Sequence, residues 1–288
     1  MECNFTQKAC HFMITYYHKK NFLKEPLDFR LVNAFEEVAD YKKHFKLPFN
    51  VLAFRLGNVE KREMTKEKQD YILNCNTGEY FYRTFNQCCF IPYGLPVLIE
   101  TRQYMVSYSL HFTLERYPGA DIFRGCNQIL TLDHLVTESQ IRQIFYEENP
   151  LKARCLAEAL ICRICAEILP EQSDKDEEWR FADLLREVRR KIDARWNVEM
   201  LASKAHLSTG AFSREFSSHM EYTAKDFLQN ELLQKAVIML QEPHATVQSV
   251  AEQLCFSSPF YFSKFFKRRY GIAPQEYIRR HNSVQTQK

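Results

Sequence analysis

The C-terminal third of the chain contains one pattern twice, and this repeat restricts the folds that the chain can adopt. The segment AFSREFSSHMEYTAKDFL (211–228) aligns with YFSKFFKRRYGIAPQEYI (261–278) at a constant offset of fifty residues. The matched positions are Phe212 with Phe262, Ser213 with Ser263, Arg214 with Lys264, and Phe216 with Phe266. An internal repeat of this kind predicts two copies of one supersecondary unit.

In the second copy, the sequence predicts two short helices on either side of a serine turn. Thr246 is a suitable N-cap for the first helix, and Ala251 is small enough for two helices to cross closely. Ser257 or Ser258 can cap the second helix, with Pro259 near its first turn. This order of helix, tight turn and helix is typical of a helix-turn-helix unit.

The second helix of each unit combines an aromatic face with a polar face. The aromatic residues are predicted to face the core, and they are Phe212, Phe216, Phe262, Phe265 and Phe266. The residues left on the outer face are Ser213, Arg214, Ser263, Lys264, Lys267 and Arg268. Because this helix enters the DNA major groove in helix-turn-helix proteins, we expect the outer face to reach phosphates and base edges. A charged face that is merely solvated is the alternative for the basic run by itself.

A long helix over AKDFLQNELLQKAVIMLQ (224–241), which Pro243 ends, is predicted to join the two units. Two recognition helices held by one linking helix could enter successive major-groove segments about 34 Å apart on one face of B-DNA. One chain would then cover two groove segments, and bending of the DNA could help both helices to engage.

Residues 1 to about 130 are predicted to be mainly β-structure. Short segments rich in Val, Ile, Tyr and Phe are separated by turn residues. The segments are FNVLAFRLG (49–57), DYILNC (70–75), EYFYRTF (79–85), CCFIPYG (88–94), PVLIET (96–101) and YMVSYSLHF (104–112). Strands at this spacing are typical of a small barrel or sandwich. Before them, a short helix is expected within DFRLVNAFEEVADYKKHF (28–45).

From Thr137 the spacing of apolar residues changes to that of helices. Thr137 and Gln140 form a predicted capping box, and Pro150 begins a second helix at its preferred position. The apolar face of this second helix is broad and contains Leu151, Cys155, Leu156, Ala159, Leu160, Cys162 and Ile164. Such a face could complete the N-terminal core or form a dimer seam, and the sequence leaves both open.

The polar segment PEQSDKDEE (170–178) is predicted to be a linker. It divides the chain into an N-terminal domain over 1–170, a linker over 171–178 and a helical domain over 179–288. The helical domain carries 17 Lys and Arg against 11 Asp and Glu, a net charge of +6, which leaves −3 for the residues before it in a chain of total charge +3. A basic end on a mildly acidic chain is expected when that end binds an acidic polymer.

The location of the protein follows from its apolar segments and cysteines. The N-terminus lacks the pattern of a signal peptide, and the most apolar run, FIPYGLPVLI (90–99), is too short to span a bilayer. We therefore expect a soluble cytoplasmic protein, with no membrane partner and with reduced cysteines. The pair Cys162 and Cys165 lacks two further ligands at a matching spacing, so neither a metal nor a cofactor is expected.

The segment SSPFYFSKFFKRRYGIAPQEYIRR (257–280) resembles the signature of the AraC/XylS family of bacterial transcription regulators. The resemblance covers 179–281 strongly and 1–170 more loosely. It implies an α+β multidomain fold, in which an N-terminal cupin-like β-barrel with flanking helices binds an effector and dimerises, and a C-terminal all-α domain holds two helix-turn-helix units. It further implies a homodimer on double-stranded DNA, an activator role, a small-molecule effector such as a sugar, and RNA polymerase as a candidate partner.

Carried over position by position, the resemblance implies DNA contacts from both recognition helices. They are Thr209, Gly210, Ser213 and Arg214 in the first helix, and Pro259, Phe260, Ser263, Lys264 and Lys267 in the second, to which the outward-facing Arg268 is added. The first copy departs more from the family, because Glu221 stands where the second copy has Gly271. His206 and Cys255 occupy turn positions where the family commonly has Gly. We therefore expect the first helix to position the DNA backbone more than to read bases.

Enzymes of the cupin class carry a His-x-His pair and a Glu for a metal, and this sequence has no His-x-His. Val97 stands where such a His is often found, and His44, His111 and His134 are scattered along the chain. The chain is therefore not expected to be an enzyme. Two alternatives to a ligand-responsive regulator stay open: an architectural protein that binds DNA without sequence preference, and, less favoured, a cupin enzyme tethered to DNA.

Overall fold

The computed structural model describes residues 27–37, 41–57, 70–101, 105–169 and 179–285, so the predicted linker lies outside the described residues. Within these ranges, strands precede helices along the chain. The strands are β1 (Asp28–Glu37), β2 (Tyr41–Phe45), β3 (Asn50–Gly57), β4 (Tyr71–Asn74), β5 (Tyr80–Tyr82), β6 (Gln87–Ile91), β7 (Val97–Thr101), β8 (Met105–Glu115) and β9 (Leu130–Thr131). The helices are α1 (Glu138–Phe145), α2 (Pro150–Ile168), α3 (Ala182–Lys191), α4 (Val198–Lys204), α5 (Thr209–Met220), α6 (Ala224–Met239), α7 (Val247–Gln253), α8 (Pro259–Tyr270) and α9 (Pro274–Gln285).

The strands form two antiparallel sheets that face each other. The five-stranded sheet has the order β1-β8-β3-β6-β9, and the four-stranded sheet has the order β2-β7-β4-β5. All six segments predicted as strands contain one, which confirms the assignment of the N-terminal part to β-structure. Among the described residues the two hydrogen-bonded ladders stay separate, so the closed β-barrel that the resemblance implies is wrong, and this part is a pair of facing sheets.

The short helix expected within residues 28–45 is wrong, because this segment forms β1 and β2. Strand β1 pairs with β8 along its whole length, and its register shifts between Leu31 and Asn33. A bulge of this kind interrupts the alternation of inward and outward side chains. The period of two that would identify a strand is therefore hidden in the sequence of β1.

The five-stranded sheet is covered on both faces. Leu52 and Phe54 of β3 are buried in a core that includes Leu160 of α2, whereas Val51 and Ala53 of the same strand are buried on the opposite face. A strand covered on both faces is expected to be apolar at nearly every position, as β3 is. The core that contains Leu52 and Phe54 therefore lies between the five-stranded sheet and helices α1 and α2.

The two helices after the strands begin where the sequence predicts. Thr137 and Gln140 form the capping box of α1, and Asn149 caps α2 ahead of Pro150. The broad apolar face predicted for α2 is divided in the structure. Leu160 and Ile164 are buried, whereas a stripe along the outer side is exposed; this stripe contains Leu151, Cys155, Ala159 and Cys162.

The C-terminal part is entirely helical and contains the predicted pair of helix-turn-helix units, formed by α4 and α5 and by α7 and α8. Helix α6 joins them and ends at Met239, before Pro243. The core of this part is rich in aromatic rings, and fully buried examples are Phe216, Phe227 and Phe266. None of the helices in the described ranges combines the length and apolarity that would span a membrane.

The helical part packs directly on the sheets, and a single apolar core continues from Val51 and Ile72 to Phe266 and Tyr270. Polar side chains of the linking helix also bond to the backbone of the sheets. Gln234 donates from Nε2 to the carbonyl of Pro48 at 2.5 Å. The second helix-turn-helix unit is therefore in contact with the N-terminal part.

Candidate nucleic-acid interface and ligand cavity

The first helix-turn-helix unit owes its geometry to one cap and one unusual turn. The hydroxyl of Ser208 accepts a hydrogen bond from the backbone N–H of Ala211 at 3.2 Å and so caps α5. His206, in the turn before it, adopts a left-handed backbone with φ 56°. Phe212 and Phe216 are fully buried, as predicted, which fixes the opposite side of α5 toward solvent.

The second unit repeats this arrangement. Of the two serines that the sequence allows as the cap of α8, it is Ser258 whose hydroxyl accepts from the backbone N–H of Tyr261, at 3.3 Å. Pro259 is the first residue of the helix, where a missing N–H costs nothing. Cys255 has φ 57° in the turn, so both turns use the backbone conformation that usually favours glycine.

The predicted contact residues share the outer faces of α5 and α8. Ser213 and Ser263 are half-buried, and the other members are exposed: Thr209, Gly210, Arg214, Pro259, Phe260, Lys264, Lys267 and Arg268. Four of these are cations, and none of the four forms an ion pair with any residue that the structure describes: Arg214, Lys264, Lys267 and Arg268. Cations left without an intramolecular partner are available to phosphate groups.

Two aromatic rings add an apolar element to the outer face of α8. Phe260 is 65% exposed and Tyr261 is 59% exposed, although large apolar side chains usually avoid solvent. The ammonium of Lys264 lies 5.5 Å from the centre of the Phe260 ring. An apolar ring at this place suits the methyl group of thymine. The resemblance indicated Phe260, whereas Tyr261 was not predicted.

The recognition helices both end in a left-handed residue. Glu221 after α5 has φ 59°, and Gly271 after α8 has φ 95°. The two residues occupy equivalent positions in the repeat. The left-handed backbone is strained at Glu221, which has a Cβ atom, and unstrained at Gly271, which has none.

A cavity lies between the two sheets and is closed by the second helix-turn-helix unit. It contains about 1120 Å³ of empty space, part of which is open to solvent. Its walls are largely apolar and include Val51, Ile72, Ile91 and Ile99 from the sheets. Tyr270, Ile272, Tyr277 and Arg280 contribute the wall from the helical part. A molecule in this cavity would therefore touch both parts of the chain.

Buried polar groups also line the cavity. The His111 ring stacks on Phe49 with 4.7 Å between ring centres, and burial lowers the pKa of His111 to about 3. His111 is thus a neutral core residue of the cavity wall and not a surface histidine.

The two other histidines noted in the sequence, His44 and His134, are exposed. Within the described ranges, no three His, Cys, Asp or Glu side chains are grouped so that they could hold a metal ion.

An ion-pair cluster joins the helical part to the five-stranded sheet. Arg189 of α3 lies 2.6 Å from Glu115 of β8 and 2.7 Å from Glu231 of α6. Burial raises the pKa of Glu115, whereas the positive charge of Arg189 holds the pKa of Glu231 below its ordinary value despite burial. The arginine compensates two buried carboxylates at the contact between the two parts.

The sequence did not predict which residues line the cavity, nor did it predict the ion-pair cluster. Both depend on how the helical part docks on the sheets, which no local pattern records. One signal was available: in EYFYRTF the alternation of a strand places Arg83 on the same side as the inward-facing Phe81. An arginine at an inward position is unusual and could have marked the cavity.

A family model described as a helix-turn-helix domain matches residues 201–280. The HTH-type transcriptional regulator MtrA of Neisseria gonorrhoeae is 30% identical over 98 residues, which are 34% of this chain and 33% of that protein. AlkR of Acinetobacter baylyi is 33% identical over 82 residues, covering 28% of this chain and 27% of AlkR. The chain thus spans about a third or less of the length of these relatives.

Longer matches are weaker in sequence. The probable transcriptional regulator LumQ of Photobacterium leiognathi is 24% identical over 230 residues, covering 77% of this chain and 87% of LumQ. The structure of ToxT from Vibrio cholerae with bound unsaturated fatty acid has a TM-score of 0.57 at 11% identity, covering 88% of this chain and 94% of that one. This likeness shows a shared two-domain fold of a β-sheet domain followed by a helix-turn-helix domain. Residues 201–280 of the chain are therefore a helix-turn-helix domain of the AraC type, and the relatives that share this segment are named HTH-type transcriptional regulators.

Proposed function

We propose that the protein is a sequence-specific, DNA-binding transcription regulator whose DNA binding is controlled by a small molecule in the cavity. The observation that carries this proposal is the pair of outward-facing recognition helices, α5 and α8, held by the single linking helix α6. The ten predicted contact residues would meet DNA, with phosphates bound by the unpaired cations and bases read mainly by α8.

Ligand control is supported by the composition of the cavity wall. Tyr270 is the last residue of the recognition helix α8, and it lines the cavity together with strand residues such as Val51. A ligand that binds one arrangement of the two parts better than another shifts the population toward that arrangement. The ToxT structure carries an unsaturated fatty acid, and the apolar walls here favour an apolar ligand over the sugar that the family resemblance first suggested.

Other features of the proposal come from the sequence. The polar segment 170–178 supports a division into domains at 1–170 and 179–288, and the family resemblance supports the cupin-like character of the N-terminal part, a homodimer, the activator role and contact with RNA polymerase. The exposed stripe on α2, which contains Leu151 and Cys162, is a candidate for the dimer seam.

The test is selection of binding sites from a random duplex library by the full-length chain at about 150 mM salt. We expect enrichment of a motif with two boxes about one helical turn apart, because two recognition helices are held by one linking helix. Enrichment without sequence preference, with and without a pool of metabolites, would instead support the architectural DNA-binding protein.

A further inference from the structure

Arg83, just after β5, is a buried cation without an ion-pair partner among the described residues. Its side chain lines the cavity, and the residue is only 6% exposed. Its Nη2 atom is buried without a hydrogen bond, and the side chain forms no ion pair with any residue that the structure describes. Glu36 lines the same cavity, but none of the ion pairs among the described residues joins it to Arg83. A buried guanidinium in this situation favours binding of an anion.

The described residues around Arg83 do not supply that anion. Arg55 is fully buried nearby and pairs with Asp70, which also accepts a hydrogen bond from Thr101 at 3.1 Å. Burial, followed by the positive charge of Arg83, lowers the pKa of Arg55 to about 10. Among the residues that the structure describes here, the buried carboxylate of Asp70 is already paired with Arg55, so these residues leave an excess positive charge at this end of the cavity. A ligand carboxylate would neutralise it and form charge-assisted hydrogen bonds with the guanidinium.

A second polar group lies at the opposite end of the cavity. Nδ1 of His111 and Oδ1 of Asn33 are buried without hydrogen-bond partners, and the two residues face each other in the register of β8 and β1. Arg55 bonds to Ser107, four residues before His111 on β8. The rise of a strand puts these two levels roughly 13 Å apart. The wall between them is apolar.

We propose that the ligand is a medium-length aliphatic carboxylic acid with a hydroxyl or keto group near its other end. Its carboxylate pairs with Arg83, its chain lies along Ile72 and Ile99, and its second polar group bonds with His111 and Asn33. This assignment rests on the proposed function, in which the cavity holds the effector. Beyond that function, we assign Arg83 as the residue that binds the carboxylate of the effector, and a hydroxyl or keto group as the second polar group of the effector.

The test is titration calorimetry of the full chain with three probes: ω-hydroxydecanoate, decanoate and decanol. We expect decanoate to bind at least about tenfold more tightly than decanol, because only the acid neutralises Arg83. The hydroxy acid is expected to bind more tightly than decanoate, because it satisfies His111 and Asn33. In Arg83→Met the preference for acid over alcohol should vanish, and in His111→Phe the preference for the hydroxy acid should vanish.

Two further variants make this test specific. Lys46→Met, which removes an exposed cation outside the cavity wall, should bind the probes as the wild type does. Lys43→Met removes a half-buried cation from the wall. If Lys43→Met loses the preference for the acid and Arg83→Met keeps it, Lys43 binds the carboxylate, and the assignment of Arg83 as the anchor is wrong. Binding of decanol as tight as that of decanoate, or failure of all three probes, overturns the proposed ligand class.

Two separate measurements keep this proposal distinct from the proposed function. Arg83→Met removes an uncompensated charge, so without ligand it should melt no lower than the wild type, which excludes misfolding as the cause of weaker binding. DNA affinity is measured on a selected duplex with and without decanoate. If decanoate binds through Arg83 but leaves DNA affinity unchanged, the anchor stands and ligand control of DNA binding fails.

Discussion

Arg189 and Glu115 form an ion pair across the contact between the helical part and the five-stranded sheet, with 2.6 Å between Nη2 and Oε2. Glu115 is fully buried, and Arg189 is its cation as well as that of Glu231. Removing one partner of a buried pair is costly because it leaves the other charge uncompensated. We therefore expect this ion pair to stabilise both the contact between the two parts and the folded chain.

Arg189→Met should lower the free energy of unfolding by about 3–5 kcal/mol, measured by urea denaturation at neutral pH. Arg190→Met is the matched control, since Arg190 is the next residue of α3 and is exposed. The control should change stability by less than about 0.5 kcal/mol. Equal effects of the two variants would mean that the ion pair does not stabilise the contact.

Lys264→Ala should weaken specific DNA binding by roughly 1–3 kcal/mol and change the preferred bases at one position of the second box. The reason is the exposed position of Lys264 on α8, without an ion-pair partner among the described residues. Competition binding with a set of single-base variants of the selected duplex measures this. Uniform weakening on all duplexes would assign Lys264 to a phosphate instead of a base.

His111→Phe should change how stability depends on pH. Burial lowers the pKa of His111 from 6.5 to about 3, so the unfolded chain binds a proton that the folded chain does not between these values. The wild type therefore loses stability as the pH falls below 6.5, and the variant lacks this loss. Phe keeps the stacking on Phe49.

Between pH 7 and pH 5, the wild type should lose about 2 kcal/mol of unfolding free energy relative to His111→Phe, as measured by urea denaturation. Other buried groups, such as Asp121, are present in both chains and cancel in the difference. If the unfolding free energy of the two proteins falls equally between pH 7 and pH 5, His111 binds a proton in the folded chain as readily as in the unfolded chain, and the low pKa is wrong.

Gly271→Ala should destabilise the chain by about 1–2 kcal/mol, because φ is 95° at this position and a Cβ atom would lie 3.0 Å from Cε1 of Phe45. Glu221→Gly, at the equivalent position of the first unit, should instead stabilise it by up to about 1 kcal/mol. Thermal unfolding of the two variants measures both signs. Loss of stability in both would contradict the equivalence of the two helix ends.

The helix-turn-helix units could be predicted almost residue by residue, because their information is local. Caps such as Ser258, buried rings such as Phe262 and the proline at the start of α8 act within one or two turns of helix. Because the unit occurs twice, each position could also be compared with its counterpart in the other copy. The left-handed backbone at His206 and Cys255 likewise agrees with the expectation that these turn positions favour Gly.

The N-terminal part was predicted less completely because its features depend on partners distant in the sequence. The bulge in β1 hides the strand period, so residues 28–45 resemble a helix. The division of α2 into a buried and an exposed side depends on where the five-stranded sheet lies. The cavity depends on Tyr270 and Tyr277 closing against strands that precede them by more than 150 residues.

The central claim is that the full-length chain recognises a DNA sequence, and the most direct measurement is a ratio of two dissociation constants. Fluorescence anisotropy at about 150 mM salt should compare the selected two-box duplex with a scrambled duplex of the same length and composition. The account predicts at least about a thousandfold tighter binding to the selected duplex. A ratio near one, with the same steep salt dependence on both duplexes, would contradict it.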